Sequence, residues 1–170
     1  QLDTEVILAH VIKKGRSYLR TWPDKQPSTE ELDQFNHLVQ ARKNGKPIAY
    51  IIGEREFWSH TFRVTPDVLI PRPDTELLIE TTLGLFPSQA AIQIADLGTG
   101  SGAIAISLGL EFPNAQITAI DNSEAALRIA QENASELQCR NVSFVRSNWL
   151  NKINITNFDI IISNPPYIDN

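Results

Sequence analysis

The last residues of the chain are of types that could do chemistry on a planar nitrogen. Asn164, Pro165, Pro166 and Tyr167 follow the apolar run 158–162 after a single residue, Ser163. An amide or amino nitrogen attacks poorly, because its lone pair is delocalised, unless acceptors hold both of its hydrogens and let the nitrogen pyramidalise. The side-chain oxygen of Asn164 could be one acceptor, and the main-chain carbonyl of Pro165 could be the other. The segment therefore predicts a site that polarises a planar –NH2 group.

The neighbours of Asn164 fit this interpretation. Neither proline has an N–H for a sheet ladder, and both have φ fixed at about −65°, so the chain leaves the strand stiffly with free carbonyls. Tyr167 offers a flat face or a hydroxyl to a planar substrate group, and the neutral amide avoids the cost of burying a carboxylate. An ordinary turn with a Pro-Pro stop is the alternative. We expect these four residues to be catalytic and to bind substrate, and Asn164 to line the cofactor site as well.

A glycine-rich loop, DLGTGSG at 96–102, joins a predicted strand to a predicted helix. Glycines permit positive φ and close approach to a ligand, and a helix N-terminus offers unpaired N–H groups. Gly102 is followed by Ala103 instead of Lys, which argues against a nucleoside triphosphate loop, whereas the dinucleotide fingerprint is satisfied. We expect five residues of this loop to bind a cofactor: Gly98, Thr99, Gly100, Ser101 and Gly102.

Two later residues extend the predicted cofactor site. Asp121 ends the next predicted strand, and its carboxylate could accept hydrogen bonds from both hydroxyls of a ribose. This fits a ribose-bearing cofactor without distinguishing NAD from S-adenosylmethionine, and Asp121 could instead only cap the helix that begins near Ser123. Trp149 could stack on an adenine or serve as a half-buried anchor. We expect both Asp121 and Trp149 to contact the cofactor.

Alternating strand and helix patterns predict the elements that position these residues. Strands are predicted at 92–95, 116–120, 142–145 and 158–162, with helices at about 101–110 and 124–137. Such alternation predicts a parallel sheet, whose ligands bind at the carboxyl ends of the strands. The glycine loop, Asp121 and Asn164 should therefore meet. A bare edge is costly, so we expect the sheet to continue beyond Asn170.

The first part of the chain has a different pattern. Helices are predicted at 2–14 and, from the capping-box spacing at 28–31, up to Asn44-Gly45. Residues 57–70, in which Pro66-Asp67 interrupts alternating apolar residues, predict a β-hairpin. These patterns divide the chain into a helical domain at 1–50, a linker with the hairpin at 51–73 and an α/β domain at 74–170.

Composition narrows the class of protein. A net charge of −5 weakens the case for a nucleic-acid partner held by phosphate neutralisation. Cys139 is the single cysteine, and the three histidines lack zinc spacing. The sequence contains neither a run of 18 apolar residues nor a secretory leader. We expect a cytoplasmic protein without a metal or membrane partner and, since methionine is absent, a fragment of a longer chain.

The loop 96–102, Asp121 and the Asn-Pro-Pro-Tyr segment at 164–167 together resemble class I S-adenosylmethionine-dependent methyltransferases that act on planar nitrogens. The resemblance implies a Rossmann-like class I methyltransferase fold: an α/β parallel sheet, truncated at its C-terminus, preceded by a small helical domain and a β-hairpin linker. It also implies S-adenosyl-L-methionine as the cofactor.

Three longer motifs narrow the resemblance. GEREFW at 53–58, LIPRPDTELLIE at 69–80 and SNPPYI at 163–168 look like the HemK/PrmC family of protein-(glutamine-N5) methyltransferases. The implied substrate is the glutamine of the Gly-Gly-Gln loop in class I peptide chain release factors, recognised partly by the helical domain. A monomer without direct nucleic-acid binding is expected.

The resemblance also assigns roles to residues. The glycine loop and Asp121 would hold the methionine and ribose parts of the cofactor, Trp149 the adenine side, and Asn164 through Tyr167 the substrate glutamine. Asn148 departs from the family pattern, which often has an acid at this position.

Other functions share parts of this pattern. An adenine-N6 nucleic-acid methyltransferase presents the same planar amino group to a similar segment, and a glutamine of a ribosomal protein would need the same chemistry. An NAD-dependent oxidoreductase, or a non-catalytic binding module on a degenerate methyltransferase fold, is a more remote alternative.

Overall fold

The computed structural model describes residues 2–151, 153 and 158–165. The chain divides into two compact units, residues 1–53 and 54–170. The predicted linker hairpin belongs to the second of these units.

The first unit is helical. Its helices are α1 (Leu2–Val11), α2 (Arg16–Thr21), α3 (Thr29–Lys43) and α4 (Ile48–Ile52). The capping box predicted at the start of α3 is present: the Ser28 hydroxyl accepts from the Glu31 N–H at 3.2 Å, and the Glu31 carboxylate accepts from the Ser28 N–H at 2.7 Å. The sequence did not predict α2 and α4, because helices of five or six residues carry too few apolar positions to show a period.

The helices of the first unit pack around α1. Ile7, Ala9 and Val11 of α1 and Ala49 of α4 are buried. At the edge of this core the Arg42 Nε donates to the Asp3 carboxylate at 2.7 Å, a pair that contributes little because both side chains are partly solvated. The unit is therefore held mainly by a small apolar core.

A tight hairpin opens the second unit. Strands β1 (Glu54–Phe57) and β2 (His60–Arg63) pair antiparallel, so the prediction of a hairpin centred near Pro66-Asp67 was wrong in position. The true turn is Trp58-Ser59, with φ of 49° and 60°. Two left-handed residues suit a hairpin turn, but Trp carries none of the sequence signal that Gly or Asn would give.

Two carboxylates hold this turn in place. The Trp58 backbone N–H donates to Glu76 Oε1 at 3.0 Å, and its indole Nε1 donates to Glu111 Oε1 at 2.7 Å. Phe57 and Phe62, both buried, meet edge to face with their ring centroids 6.1 Å apart. The hairpin is thus fastened to the two helices that carry the glutamates.

A parallel sheet forms the centre of the second unit. Its described strands are β3 (Gln93–Leu97), β4 (Gln116–Asp121), β5 (Val142–Arg146) and β6 (Ile160–Ser163), in the order β5-β4-β3-β6. All neighbouring pairs are parallel. The helices are α5 (Glu76–Leu85), α6 (Ala103–Glu111) and α7 (Glu124–Glu136), and a 3₁₀ turn spans Pro73–Thr75. The predicted parallel α/β fold is confirmed.

The two strands β3 and β4 form the buried centre of the sheet. Ile94, Ala95, Ile117 and Ala119 are almost completely buried, and so is most of α6. Near-continuous burial along a strand indicates that both faces are covered. The strand order reverses between β3 and β6, and ligands of open parallel sheets bind at the carboxyl ends of the strands beside such a reversal.

Within the described residues, no helix combines the length and the apolar character that a bilayer crossing requires.

Candidate active site

The glycine loop turns sharply from β3 into α6. Gly98, Gly100 and Gly102 have φ of 73°, 55° and 80°, values that L side chains rarely adopt. The N–H groups of Gly98 and Thr99 both donate to the Ile120 carbonyl, at 2.8 and 2.9 Å. The loop is therefore anchored to the end of β4, with its glycines at the positions where the backbone requires them.

Gly102 is also required by packing. A Cβ at this position would lie 2.7 Å from Ile106 Cδ1 and 3.0 Å from Ala130 Cβ. The close approach brings the start of α6 against α7. A side chain at residue 102 would therefore push the two helices apart.

Asp96 lies fully buried beneath the loop. Its Oδ2 accepts from the Thr99 hydroxyl at 2.7 Å, whereas Oδ1 has no hydrogen-bond partner among the described residues. Burial raises the pKa of this carboxyl to about 6, although the hydrogen bond from Thr99 acts in the opposite direction. Asp96 thus stabilises the loop through Thr99 and has one buried carboxylate oxygen without a partner among the described residues.

Asp121 connects the ends of β3 and β4. One carboxylate oxygen accepts from the Gly100 N–H and the other from the Ser123 N–H, both at 2.9 Å. The start of α7 is capped by the Ser123 hydroxyl, which accepts from the Ala126 N–H at 3.2 Å, so Asp121 is not the cap itself. Each oxygen of Asp121 has a second lone pair, with which this half-buried carboxylate could accept from a ligand.

Two cavities flank Gly98. The first, of about 220 Å³, is lined by Asp121, Asn148, Trp149 and Pro165 among others. Trp149 has φ of 52° and is 54% exposed, so the ring is available to a flat ligand. The second cavity, of about 50 Å³, is lined by Gly98, Gly100, Thr75 and Asn164 among others. Eight of the residues predicted for the site line these two cavities at the carboxyl edge of the sheet: Gly98, Thr99, Gly100, Ser101, Asp121, Trp149, Asn164 and Pro165. Their roles stay predictions.

Asn164 is fixed at the end of β6. Its Nδ2 donates to the Thr75 hydroxyl at 3.0 Å. The preceding residue is tied down as well, because the Ser163 hydroxyl donates to the Leu97 carbonyl at 2.9 Å. Pro165 lines the larger cavity. Pro166 and Tyr167, also predicted as catalytic, lie outside the described residues.

Sequence reasoning missed the role of two polar residues. Neither Thr75 nor Asn133 was singled out from the sequence as a site residue. The Asn133 side chain, almost fully buried, donates to the Ser101 and Arg63 carbonyls at 2.8 and 3.1 Å and accepts from the Arg63 N–H at 2.8 Å. Asn133 therefore fastens the glycine loop to strand β2. The motif at 69–80 contains Thr75 and was the available signal for that residue.

The described part of the chain contains no group of three or more His, Cys, Asp or Glu side chains arranged to hold a metal ion.

Comparison with known families and proteins covers almost the whole chain. A family model described as "Methyltransferase small domain" matches residues 73–170, and one described as "PrmC N-terminal domain" matches residues 1–53. A protein of Shewanella oneidensis named "Release factor glutamine methyltransferase" is 47% identical over 168 residues, which are 99% of this chain and 58% of the relative. The protein of that name from Aliivibrio fischeri is 48% identical over 170 residues, 99% of this chain and 60% of the relative.

The chain thus spans about three fifths of the length of these relatives. Among solved structures, the tRNA (uracil-54, C5)-methyltransferase of Pyrococcus abyssi, in complex with S-adenosyl-L-homocysteine, aligns with a TM-score of 0.53. It is 16% identical and covers 66% of this chain and 28% of that one. At this identity the likeness concerns the fold alone.

Proposed function

The chain belongs to the methyltransferase small domain family, and we propose on this premise that the protein methylates a glutamine side-chain nitrogen with S-adenosylmethionine as methyl donor. The proposed substrate is the glutamine of the Gly-Gly-Gln loop in class I peptide chain release factors. Relatives named release factor glutamine methyltransferase align with 99% of the chain. The observation that carries the proposal is the presence of Asn164 in the same cavity as Gly98 and Gly100.

The residues around Gly98 fit the proposed cofactor. The unpartnered Oδ1 of Asp96 and the second lone pairs of Asp121 are acceptors for cationic and hydroxyl groups. The exposed ring of Trp149 beside Asn148 suits an adenine. In this proposal residues 98–102 and Asp121 hold the methionine and ribose parts. When bound, S-adenosylmethionine supplies an electrophilic methyl group on a sulfonium.

Asn164 and Pro165 polarise the substrate in this proposal. The Asn164 Oδ1 accepts from one N–H of the glutamine amide, and the Pro165 carbonyl accepts from the other. With both hydrogens held, the nitrogen can pyramidalise and direct its lone pair out of the amide plane. Directly after methylation the amide nitrogen still carries both hydrogens and a positive charge, and such a cation is strongly acidic, so one of the two protons can leave to water without a dedicated base. Positioning and polarisation therefore provide most of the catalysis.

A direct test is transfer of a labelled methyl group by the intact protein. Labelled S-adenosylmethionine is supplied with a class I release factor, with the same factor carrying Ala for the Gln of its Gly-Gly-Gln loop, with DNA and with ribosomal proteins. We expect label only in the unchanged release factor. Label in DNA would favour an adenine-N6 methyltransferase, and label in ribosomal proteins a different glutamine. Binding of NAD in place of S-adenosylmethionine, or cofactor binding without transfer, would reject methyl transfer itself.

The helical unit contributes to substrate recognition in this proposal. It contains a cavity of about 170 Å³ lined by Tyr18, Leu19 and Trp22, and Trp22 is 60% exposed. The Lys14 and Lys25 ammonium groups both lie 5.9 Å from the centroid of the Tyr18 ring. Trp22→Ala should raise the KM for the release factor and leave the Kd for S-adenosylmethionine unchanged. An unchanged KM would remove this cavity from recognition.

The same proposal places the protein in the cytoplasm, where its substrate acts in translation. We expect it to work as a monomer and not to bind nucleic acid directly. Light scattering of the intact protein and a gel-shift titration with DNA and RNA check both expectations.

A further inference from the structure

Thr75 lies at the start of α5 and touches the proposed catalytic amide. Its hydroxyl oxygen accepts a hydrogen bond from Asn164 Nδ2 at 3.0 Å, across 89 residues of sequence. Thr75 is 9% exposed and lines the cavity that Gly98, Gly100 and Asn164 share. A partly buried hydrogen bond between two side chains so distant in sequence is specific to the folded site.

The hydroxyl of Thr75 is not used to cap its own helix. Thr75 occupies the N-cap position of α5 with φ of −70° and ψ of −20°, and among the described residues its side chain makes no capping hydrogen bond. A threonine at this position ordinarily accepts from an N–H of the first turn. The hydroxyl contacts Asn164 instead, so local helix stability does not account for it.

The backbone that carries Thr75 is firmly supported. Pro71 is buried, and Pro73 opens the 3₁₀ turn, in which the Thr75 N–H donates to the Arg72 carbonyl at 3.0 Å. The next residue, Glu76, accepts from the Trp58 N–H at 3.0 Å. The Thr75 oxygen is therefore held at a fixed place opposite β6.

The contact holds the Asn164 amide by its nitrogen. A carboxamide has one acceptor, Oδ1, and one donor group, Nδ2. Because Nδ2 donates to Thr75, Oδ1 is the amide atom that faces away from Thr75.

We infer that Thr75 is a positioning residue that holds the Asn164 carboxamide by its Nδ2, with Oδ1 placed to accept from the planar NH2 group of the substrate. The inference rests on the proposed function. It also gives a role to the motif at 69–80, which neither cofactor binding nor substrate binding had explained.

Three single variants of the intact protein test the inference. Thr75→Val keeps the shape and removes the hydroxyl, so kcat with release factor should fall about tenfold or more, the loss expected when one hydrogen bond no longer holds a catalytic group. The Kd for S-adenosylmethionine should stay unchanged. Thr75→Ser should restore most of the turnover. Thr82→Val is the matched control, because its buried hydroxyl donates to the Leu78 carbonyl on the same helix, and it should retain parental kcat.

A double variant separates positioning from a general structural effect. In the Asn164→Ala background Thr75→Val should cause no further loss of kcat, because the amide to be oriented is gone. A Thr75→Val protein with parental kcat, or an equal additional loss in the Asn164→Ala background, would overturn the inference.

A measurement without substrate distinguishes failure of the inference from failure of the proposed function. Solvent exchange of the Asn164 side-chain NH2 hydrogens, followed by NMR, should be slow in the parent and in Thr75→Ser and faster in Thr75→Val. If the parent labels no release factor, the proposed function fails and the positioning inference fails with it. Equal exchange in all three proteins would reject the Thr75 contact whatever the activity.

Discussion

The Gly100 N–H donates to the Asp121 carboxylate at 2.9 Å, so the loop that follows β3 is fastened to the residue that ends β4. One side chain thereby fixes the shape of the glycine loop and faces the larger cavity.

Replacement of Asp121 should weaken cofactor binding. Asp121→Ala removes the proposed acceptor for the ribose hydroxyls and the anchor of Gly100, so the Kd for S-adenosylmethionine should rise about 10- to 100-fold, as expected for lost hydrogen bonds to a charged group. Isothermal titration calorimetry measures this. Glu124→Gln is the charge-matched control: this exposed acid pairs with Arg146 at 3.0 Å, and its loss should leave the Kd unchanged.

Replacement of Asn164 should affect turnover rather than cofactor binding. Asn164→Ala removes the proposed acceptor for the substrate nitrogen, so kcat should fall about 100-fold or more, as for loss of one group that polarises a reacting atom. The Kd for S-adenosylmethionine should change only slightly. Asn114→Ala, in which the lost amide bonds only Gln89, serves as control. Turnover of Asn164→Ala close to the parent would exclude Asn164 from the mechanism.

Two glycine substitutions should act in opposite directions. Gly102→Ala puts a methyl group against Ile106 and Ala130 at a φ of 80°, and should lower the free energy of unfolding by about 2 kcal/mol or more. Gly84→Ala, in α5, meets no described atom within 4 Å and should raise it by about 0.5–1 kcal/mol through higher helix propensity. Urea denaturation measures the free energy of unfolding of both variants. Equal effects of the two substitutions would contradict the packing described at Gly102.

The amide of Asn133 should not be replaceable by a carboxylate. Asn133→Asp keeps the acceptor for the Arg63 N–H but sets oxygen against the Ser101 and Arg63 carbonyls. Leaving these buried carbonyls unpaired should lower the free energy of unfolding by about 2–3 kcal/mol. Thermal and urea unfolding report the loss. The exposed Asn114→Asp should stay close to the parent, and a stable Asn133→Asp protein would show that the link between β2 and the glycine loop is dispensable.

Asp96 should make stability depend on pH in an unusual direction. Its pKa is raised by burial from 3.8 to about 6, so between these values the folded protein binds more protons than the unfolded chain. The contribution of Asp96 is therefore most favourable at low pH and becomes less favourable as pH rises towards 6, by about 3 kcal/mol in all. Asp96→Asn, which can still accept from Thr99, removes this titration. The difference in Tm between Asp96→Asn and the parent should grow from pH 4 to pH 6.5, and a constant difference would contradict the shift.

The meeting of the glycine loop, Asp121 and Asn164 could be predicted from the sequence, because all three follow strands of a parallel sheet and such strands share one carboxyl edge. The contacts of Thr75 and Asn133 could not. These contacts join residues that are 89 and 70 positions apart in the sequence. The local pattern of apolar residues does not predict which distant residues come into contact. The turn at Trp58-Ser59 was missed for a different reason: carboxylates from α5 and α6 stabilise left-handed residues that local preference disfavours.

Thr75 and Glu76 are adjacent, yet one holds the end of β6 and the other the turn of the hairpin. Because both bonds must form at once, this stretch should accept a change of composition at the exposed Asp74 far more readily than an insertion or deletion of a single residue. In evolution the number of residues in this stretch would be more constrained than their identity.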